Sequence, residues 1–512
     1  MNKLLLVAVC SWVAVPAVAL AESPLADAIE NGRRDAALAL IDEGADVNAA
    51  QGDGTTPLHW AAYQLDTDLV QRLLERGAQA NAANRFGAHP LDEAVKAANV
   101  EIAALLLKAG TEVDAVNADG QTALMLAART GSTEVARALI AAGADVNARE
   151  AWRDQTPLMW AAEGAFPDLV VLFIEHGADV RARAVTNDWG SQLTSEPRAQ
   201  YRPTGGLTPL TYAARSGCVD CVRAILAAGE SIDRPTPDGV TALMLAIDNY
   251  EFDTAKALLD AGANPHLSDW WGRTALYLAV DMNSYVPSEG APHTRSKTTT
   301  GMDLVRVLLA AGVEVNPQLN FHRPGRGGNS ARFVDDNLTT GATPLLRAAI
   351  MHDDEAMRAL LAAGAHVDLP NVMGVTPFMA AAGVGVREPG FGANRAPNFT
   401  VATIEQEAIA SLEILLAAGA DVNLGVDDNQ SRTARIARPS TMSDRLGHTA
   451  LHEAARRGWP EVVAWLLEHG ANPAAKDAAG RTPLVLATTP VQGVAVPNTE
   501  RIAETLRRAS GG

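Results

Sequence analysis

Cysteine is nearly absent from this chain: there are three in 512 residues, at Cys10, Cys218 and Cys221. The short motifs that carry catalysis are absent altogether. There is no glycine-rich phosphate loop, no Gly-x-Ser-x-Gly elbow and no cysteine beside an activating partner. His448 and His452 are four apart but straddle a helix start, and no acidic or cysteine ligand completes a zinc pattern. Acidic pairs such as Asp335-Asp336 and Asp427-Asp428 lie in loop-like stretches and read as solvated. These absences argue against an enzyme, and no cofactor or metal is expected. Positive charge is also short. Lys and Arg number 42 against 60 Asp and Glu, a net charge of −18. Such acidity favours solubility and argues against broad nucleic-acid binding. Long apolar runs are missing too. Leu4 to Val15 is too short to span a bilayer, and no other run is long enough.

What is present is a period. A Thr-Pro-Leu triplet or a close relative returns at Ser23, Thr56, His89, Thr122, Thr156, Thr208, Thr241, Thr274, Thr343, Thr376, Thr449 and Thr482. Most steps are 33 residues, and the exceptions are longer. A fixed period of that length means an array of stacked units, each touching its neighbours, so the length does not imply several domains. Within a unit, 21 residues separate the triplet from a Gly-Ala pair, as from Thr56 to Gly77. That stretch reads as two short helices. Threonine at the N-cap and proline at the first helical position start the first one. Leu58, Ala61 and Ala62 are apolar at helical spacing, as are Val70, Leu73 and Leu74 in the second helix. Gly77 ends that helix. The next 12 residues carry Asp-Val-Asn and a turn glycine such as Gly54 or Gly120, which reads as a tight hairpin-like connection.

Thr56-Pro57-Leu58-His59-Trp60-Ala61-Ala62 and Leu73-Leu74-Glu75-Arg76-Gly77-Ala78 resemble the ankyrin repeat. The resemblance covers nearly all of residues 22–512. It implies an all-α solenoid of about twelve repeats, helix pairs joined by hairpin-like loops, in a single array. It also implies that hairpin tips and first helices line a concave face, and that the protein binds rather than catalyses. His59 and His452 fall on the motif's own histidine position, where they are expected to tie hairpin to helix.

Residues 1–21 stand apart from the array. Lys3, the apolar run and Ala19-Leu20-Ala21 read as a secretory signal cut after Ala21. Cys10 follows Val9, where a lipid-anchor site needs a small residue, so no anchor is expected. The exported protein, periplasmic or secreted, keeps Cys218 and Cys221. They form a Cys-x-x-Cys pair at the start of a second helix. A local structural disulfide suits an oxidising compartment. A redox-active pair is the alternative, because a helix N-terminus lowers a thiol pKa, but no thioredoxin-like strand–helix pattern surrounds it.

The residue before each alanine pair varies: Trp60, Glu93, Leu126, Trp160, Tyr212, Leu245, Leu278, Arg347, Ala380, Glu453 and Leu486. A position that takes Trp, Glu and Arg in turn is expected to be at least partly exposed, on the inner helix face. The hairpin tips vary as well, with Phe86, Trp152, Trp270, Trp271 and Met373. Exposed aromatics on a binding fold are candidate hot spots. The partner-binding candidates are therefore Trp60, Phe86, Trp152, Trp160, Tyr212, Trp270, Trp271 and Arg347, with Arg323 and Arg326 from an insertion. Trp270 and Trp271 lead, because two adjacent indoles at one tip do not easily both pack inward. The alternative is that tip aromatics pack on the neighbouring repeat.

Five insertions interrupt the step, near 181–205, 284–300, 319–340, 384–403 and 426–445. The second and fourth fall between paired helices, the others between repeats. Long loops inside a compact array are uncommon unless functional. The between-repeat insertions carry Arg181, Arg183, Arg198 and Arg202, then Arg323, Arg326 and Arg332, then Arg432, Arg435, Arg438 and Arg445. On an acidic array they would either edge the groove, for a partner presenting carboxylates or phosphates, or fold down and neutralise the surface. The expected function is a monomeric exported scaffold that binds a protein through its concave face and insertions, with the second half as its working end. Binding of a glycan or cell-wall polymer through exposed tryptophans is the alternative. An enzyme or redox protein is the third reading.

Overall fold

The computed structural model describes residues 23–187, 204–283, 296–320, 337–385, 401–427, 444–490 and 495–511. The segment read as a secretory signal lies outside them, as do Arg198, Arg202, Arg323, Arg326, Arg332, Arg432, Arg435 and Arg438.

The described residues form 24 helices, in twelve pairs. The local causes are those expected of the repeat. Thr56 is extended (φ −92°, ψ 163°), and Pro57 opens helix Pro57–Tyr63. The Thr56 N–H donates to His59 Nδ1 at 3.2 Å, while His59 Nε2 reaches the Ala88 carbonyl of the next hairpin at 2.9 Å. His452 repeats the device, with Thr449 N–H and the Arg481 carbonyl each at 3.2 Å. Both histidines thus tie a helix start to the following hairpin. The paired helix, Thr67–Glu75, is capped by Asp66, whose carboxylate accepts from the Leu69 N–H at 3.0 Å. Gly77 then takes φ +87°, a left-handed conformation that a side chain disfavours.

The described residues fall into two compact units, 23–164 with 175–178 and 165–174 with 179–511. Within each, first helices stack on first helices and second helices on second helices. The first unit stacks Pro24–Glu30, Pro57–Tyr63, Pro90–Lys96, Ala123–Thr130 and Pro157–Glu163. The second stacks Pro209–Arg215, Ala242–Asp248, Ala275–Asn283, Pro344–Met351, Pro377–Ala381, Ala450–Arg457 and Pro483–Thr488. Pairs such as Ala61-Ala62 and Ala213-Ala214 are fully buried, and small side chains there let the helices approach closely. Neighbouring tips are joined through the backbone. The Arg85 N–H donates to the Asp53 carbonyl at 2.8 Å, and Trp270 N–H to the Asp238 carbonyl at 2.9 Å. A Cβ at Gly87 would come within 2.6 Å of the Ala118 nitrogen, so only glycine permits that approach.

The between-repeat insertions leave and re-enter through short antiparallel necks. In the first, Thr186–Asn187 pairs with Thr204–Gly205, the only two-stranded ladder among the described residues. In the second, the Leu319 N–H meets the Ala342 carbonyl at 3.0 Å and the Gly341 N–H meets the Leu319 carbonyl at 2.8 Å. In the third, the Val426 N–H meets the His448 carbonyl at 2.9 Å and the Gly447 N–H meets the Val426 carbonyl at 2.7 Å.

The other two insertions are tied differently. Asp253 accepts from the Lys297 N–H at 2.7 Å, the Thr299 N–H at 2.8 Å and the Thr298 hydroxyl at 2.6 Å. Burial alone would raise the Asp253 carboxyl, but these donors hold it well below the usual carboxylate range. Helix Val401–Ala417 begins inside the stretch that composition reads as loop, and runs to 17 residues. Its extension brings buried Glu405 to the start of helix Pro460–Glu468, where it accepts from the Glu461 N–H at 2.7 Å.

The necks add a second apolar layer to the second unit. Leu319, Leu338, Val384 and Val426 pack with Tyr277, Leu346, Ile350 and Met379 of the first helices. Each such side chain contributes about 1.5–3 kcal/mol by leaving water.

Candidate functional site

In the first unit the row of first helices is partly open, at Trp60, Glu93 and Trp160. Trp60 is half-buried, and its indole N–H donates to Gln51 Oε1 at 2.8 Å. Gln51 Nε2 in turn lies 2.7 Å from both Asp27 Oδ1 and Glu30 Oε2, so two carboxylates fix the tryptophan through one amide. Tyr63, 62% exposed, stands edge-on to it at 5.7 Å. Trp160 occupies the matching place three repeats on, on the last first helix of this unit, with the Arg129 guanidinium 5.5 Å from its ring centre. Its indole N–H is buried without an acceptor among the described residues. The tip residues Phe86 and Trp152 are 69% and 74% exposed.

The second unit is different, and several expectations fail there. The residue before the alanine pair is at least partly exposed at Trp60, Glu93, Trp160 and Leu245. It is buried at Leu126 in the first unit, and at Tyr212, Leu278, Arg347, Ala380, Glu453 and Leu486 in the second. Tyr212 is buried with the Arg215 guanidinium 5.0 Å from its ring centre. Arg347 is buried because Asp281, itself buried, meets its Nε at 2.5 Å. Neither presents itself to a partner. A buried site accepts a charge when the fold supplies its counter-charge.

The leading tip pair also divides. Trp270 is 39% exposed, but Trp271 is 4% exposed, with the Arg273 guanidinium 5.0 Å from its ring centre. Both backbone N–H groups of this tip are held. Trp270 donates to Asp238 and Trp271 to Asp269 Oδ1 at 3.0 Å. Met373, another tip residue, is buried in the added apolar layer.

The described insertion arginines serve the chain's own groups. Arg181 donates to the Gly229 carbonyl at 3.0 Å. Arg183 donates to the carbonyls of Gly206 at 3.0 Å and Pro235 at 2.8 Å. Arg445 grips buried Glu453 with Nε at 2.8 Å and Nη2 at 3.1 Å. The folded-down alternative describes these three, and the groove-edging one does not. Arg323 and Arg326 lie outside the described residues.

Glu453 centres a cluster that the linear sequence does not reveal. Arg457 Nε lies 3.0 Å from it and Arg456 Nη1 3.4 Å. His448 stands between Glu453 at 3.7 Å and Asp477 at 3.3 Å, and Arg481 Nε holds Asp477 at 2.6 Å. Burial would raise the Glu453 carboxyl, but Arg445, His448 and Arg457 hold it well below the usual range. His452, stacked on His448 at 5.4 Å, is pushed down to about 4 by burial and by that neighbour. The arginines already saturate the carboxylates, so the cluster reads as a structural lock. Among the described residues no group of three His, Cys, Asp or Glu is placed to hold a metal.

The Cys218 and Cys221 sulfurs are at bonding distance, with Cα atoms 5.2 Å apart. Cys218 Sγ caps helix Val219–Ala227 by accepting from the Cys221 N–H at 3.2 Å. Both residues are buried, which leaves little access for an exchange partner. No helix among the described residues is long and apolar enough to cross a membrane.

Comparison with known proteins agrees with the repeat geometry. The family model for ankyrin repeats in three copies matches residues 25–117, 91–184, 188–269 and 210–286, and that for the single ankyrin repeat matches 446–478. No curated protein matches the chain. The crystal structure of the human ASB11 ankyrin repeat domain is similar over 48% of this chain and 100% of its own, with 26% identity and a TM-score of 0.39. Ankyrin repeats generally mediate protein–protein interaction. The chain described here belongs to the ankyrin-repeat family.

Proposed function

We propose that this chain is an exported scaffold that binds a protein partner through the first helices and hairpin tips of its first unit. One observation carries the reading. Tyr63, Phe86 and Trp152 are open to solvent there and Trp60 is half-open, whereas the corresponding row of the second unit is largely buried under its own insertion necks. Aromatics held by a rigid frame lose little freedom on binding, which is what an interface anchor requires. The working end is therefore the regular half, not the interrupted one. The signal-like segment 1–21 and the bonded Cys218–Cys221 pair support export to an oxidising compartment. The protein acts by binding, as a monomer, without a cofactor.

Site-specific photocrosslinking in cells tests this. A photoreactive residue at Tyr63 or Phe86 should give one discrete protein adduct, and one at exposed Glu101 on a second helix should give none. Absence of an adduct from both first positions would reject the site. The amino terminus of the exported protein should be Glu22; a chain that keeps Met1 would reject export.

A further inference from the structure

Two tips of the first unit, those that carry Phe86 and Trp152, share a chemistry beyond their aromatics. One carries Arg85 beside Phe86, and the other, two repeats on, carries Arg153 beside Trp152. Both guanidinium groups are exposed and have no ion pair or hydrogen bond among the described residues. The backbone beneath each is fixed. The Arg85 N–H is held by the Asp53 carbonyl at 2.8 Å and the Phe86 N–H by Asn84 Oδ1 at 3.0 Å. The N–H groups of Trp152 and Arg153 are both held by the buried Glu150 carboxylate at 2.6 Å. Neighbouring acids are already engaged, Glu150 in this way and Asp154 by Arg149 at 2.5 Å. Asp119 is exposed on the tip between.

We propose that these two tips form a two-point docking surface for an extended acidic segment of a protein partner. The inference rests on the reading of the first unit as the binding surface. Each tip offers a guanidinium, which takes a carboxylate through paired N–H donors, beside an aromatic that takes an apolar side chain. Packed helices lie about 8–10 Å apart, so tips two repeats apart are separated by about 16–20 Å. An extended chain covers that in about six residues at about 3.3 Å each. Asp119 in the middle repels a carboxylate there, so the segment has acids at its two ends and an uncharged centre. A uniform polyanion does not fit, because the chain as a whole carries −18 and repels it.

The test uses the full chain and a random twelve-residue peptide library displayed on phage. Enriched peptides should carry two Asp or Glu separated by about five neutral residues. Synthetic copies should bind with an affinity that falls as salt rises. Arg85→Ala and Arg153→Ala should each weaken binding about tenfold, the size of one charge-assisted contact. Asp119→Asn should tighten it. Thermal unfolding should not change, since these side chains carry no load in the fold. Peptides that lack acids, or that ignore both arginine variants yet are lost in Trp60→Ala with Tyr63→Ala, would overturn the docking surface and leave the binding reading intact. A library with no enrichment over the bare support would overturn both.

Discussion

The two units put the same repeat to different use. In the first, the place before the alanine pair holds Trp60, Glu93 and Trp160, all partly exposed, and one buried residue, Leu126. In the second, that place holds Tyr212, Arg347 and Glu453, all buried. The helix register is the same, so the helix does not decide exposure. What stands over it does. In the second unit, necks and insertion limbs bring Leu338, Val426 and Arg445 onto the first-helix row and turn a surface into a core. Once it is core, every charge on it needs a partner, and each has one.

The comparison breaks most visibly at Arg347. Arg347→Ala removes the guanidinium that meets buried Asp281 at 2.5 Å, which costs about 3–5 kcal/mol. The urea unfolding midpoint should fall accordingly. Arg347→Met together with Asp281→Leu should recover most of that loss, because an apolar pair of similar volume avoids the desolvation of both charges. At the matching place in the first unit, Glu93 pairs with Lys96 at 2.9 Å near the surface. Glu93→Ala should therefore cost less than about 1 kcal/mol. Equal losses at the two sites would show that the second unit's row is not closed.

A pH titration sharpens the same contrast. His452 is depressed to about 4 by burial and by His448, against an ordinary value near 6.5. The unfolded chain therefore binds a proton at this residue from about pH 6.5 downward, while the folded chain resists until about pH 4. Stability is full above pH 6.5 and is lost as pH falls through that window, by up to about 3 kcal/mol. Glutamine can serve the same N-terminal capping place without titrating. His452→Gln should flatten the stability profile between pH 6.5 and 4 by about one proton. A profile unchanged by that substitution would remove His452 as its source.

Much of the architecture is legible in the linear chain because its causes are local. Thr56 with Pro57, the His59 tie and the left-handed Gly77 each act within one repeat or across one boundary. Exposure of Phe86 and Trp152 is legible for the same reason, since nothing in the regular repeats reaches over those tips. Burial of Tyr212, Trp271 and Arg347 is not. It depends on groups brought in from elsewhere: Asn320 of the second neck, whose N–H donates to the Trp271 carbonyl at 2.8 Å, and Asp281 against Arg347 from 66 residues away. Variation between repeats therefore misleads as a sign of exposure. It records a change of cover as readily as a free surface. Composition misleads at Val401–Ala417 in a similar way, because a helix extended by neighbouring packing looks like loop when read alone.

The smallest expected difference lies inside the first unit, between its two tryptophans. Trp60 has an acceptor in Gln51, which is itself held by Asp27 and Glu30, and Trp160 has none. Phenylalanine keeps most of the apolar area at either place and removes the indole N–H. Trp60→Phe strands the Gln51 carbonyl and should cost about 1 kcal/mol. Trp160→Phe removes a buried donor that has no protein acceptor, and should be neutral or slightly stabilising despite the smaller ring. Thermal unfolding of the two variants side by side measures the difference. If Trp160→Phe lost as much as Trp60→Phe, the Trp160 indole would have an acceptor, and the row would be more closed at that end than Trp60 is at the other.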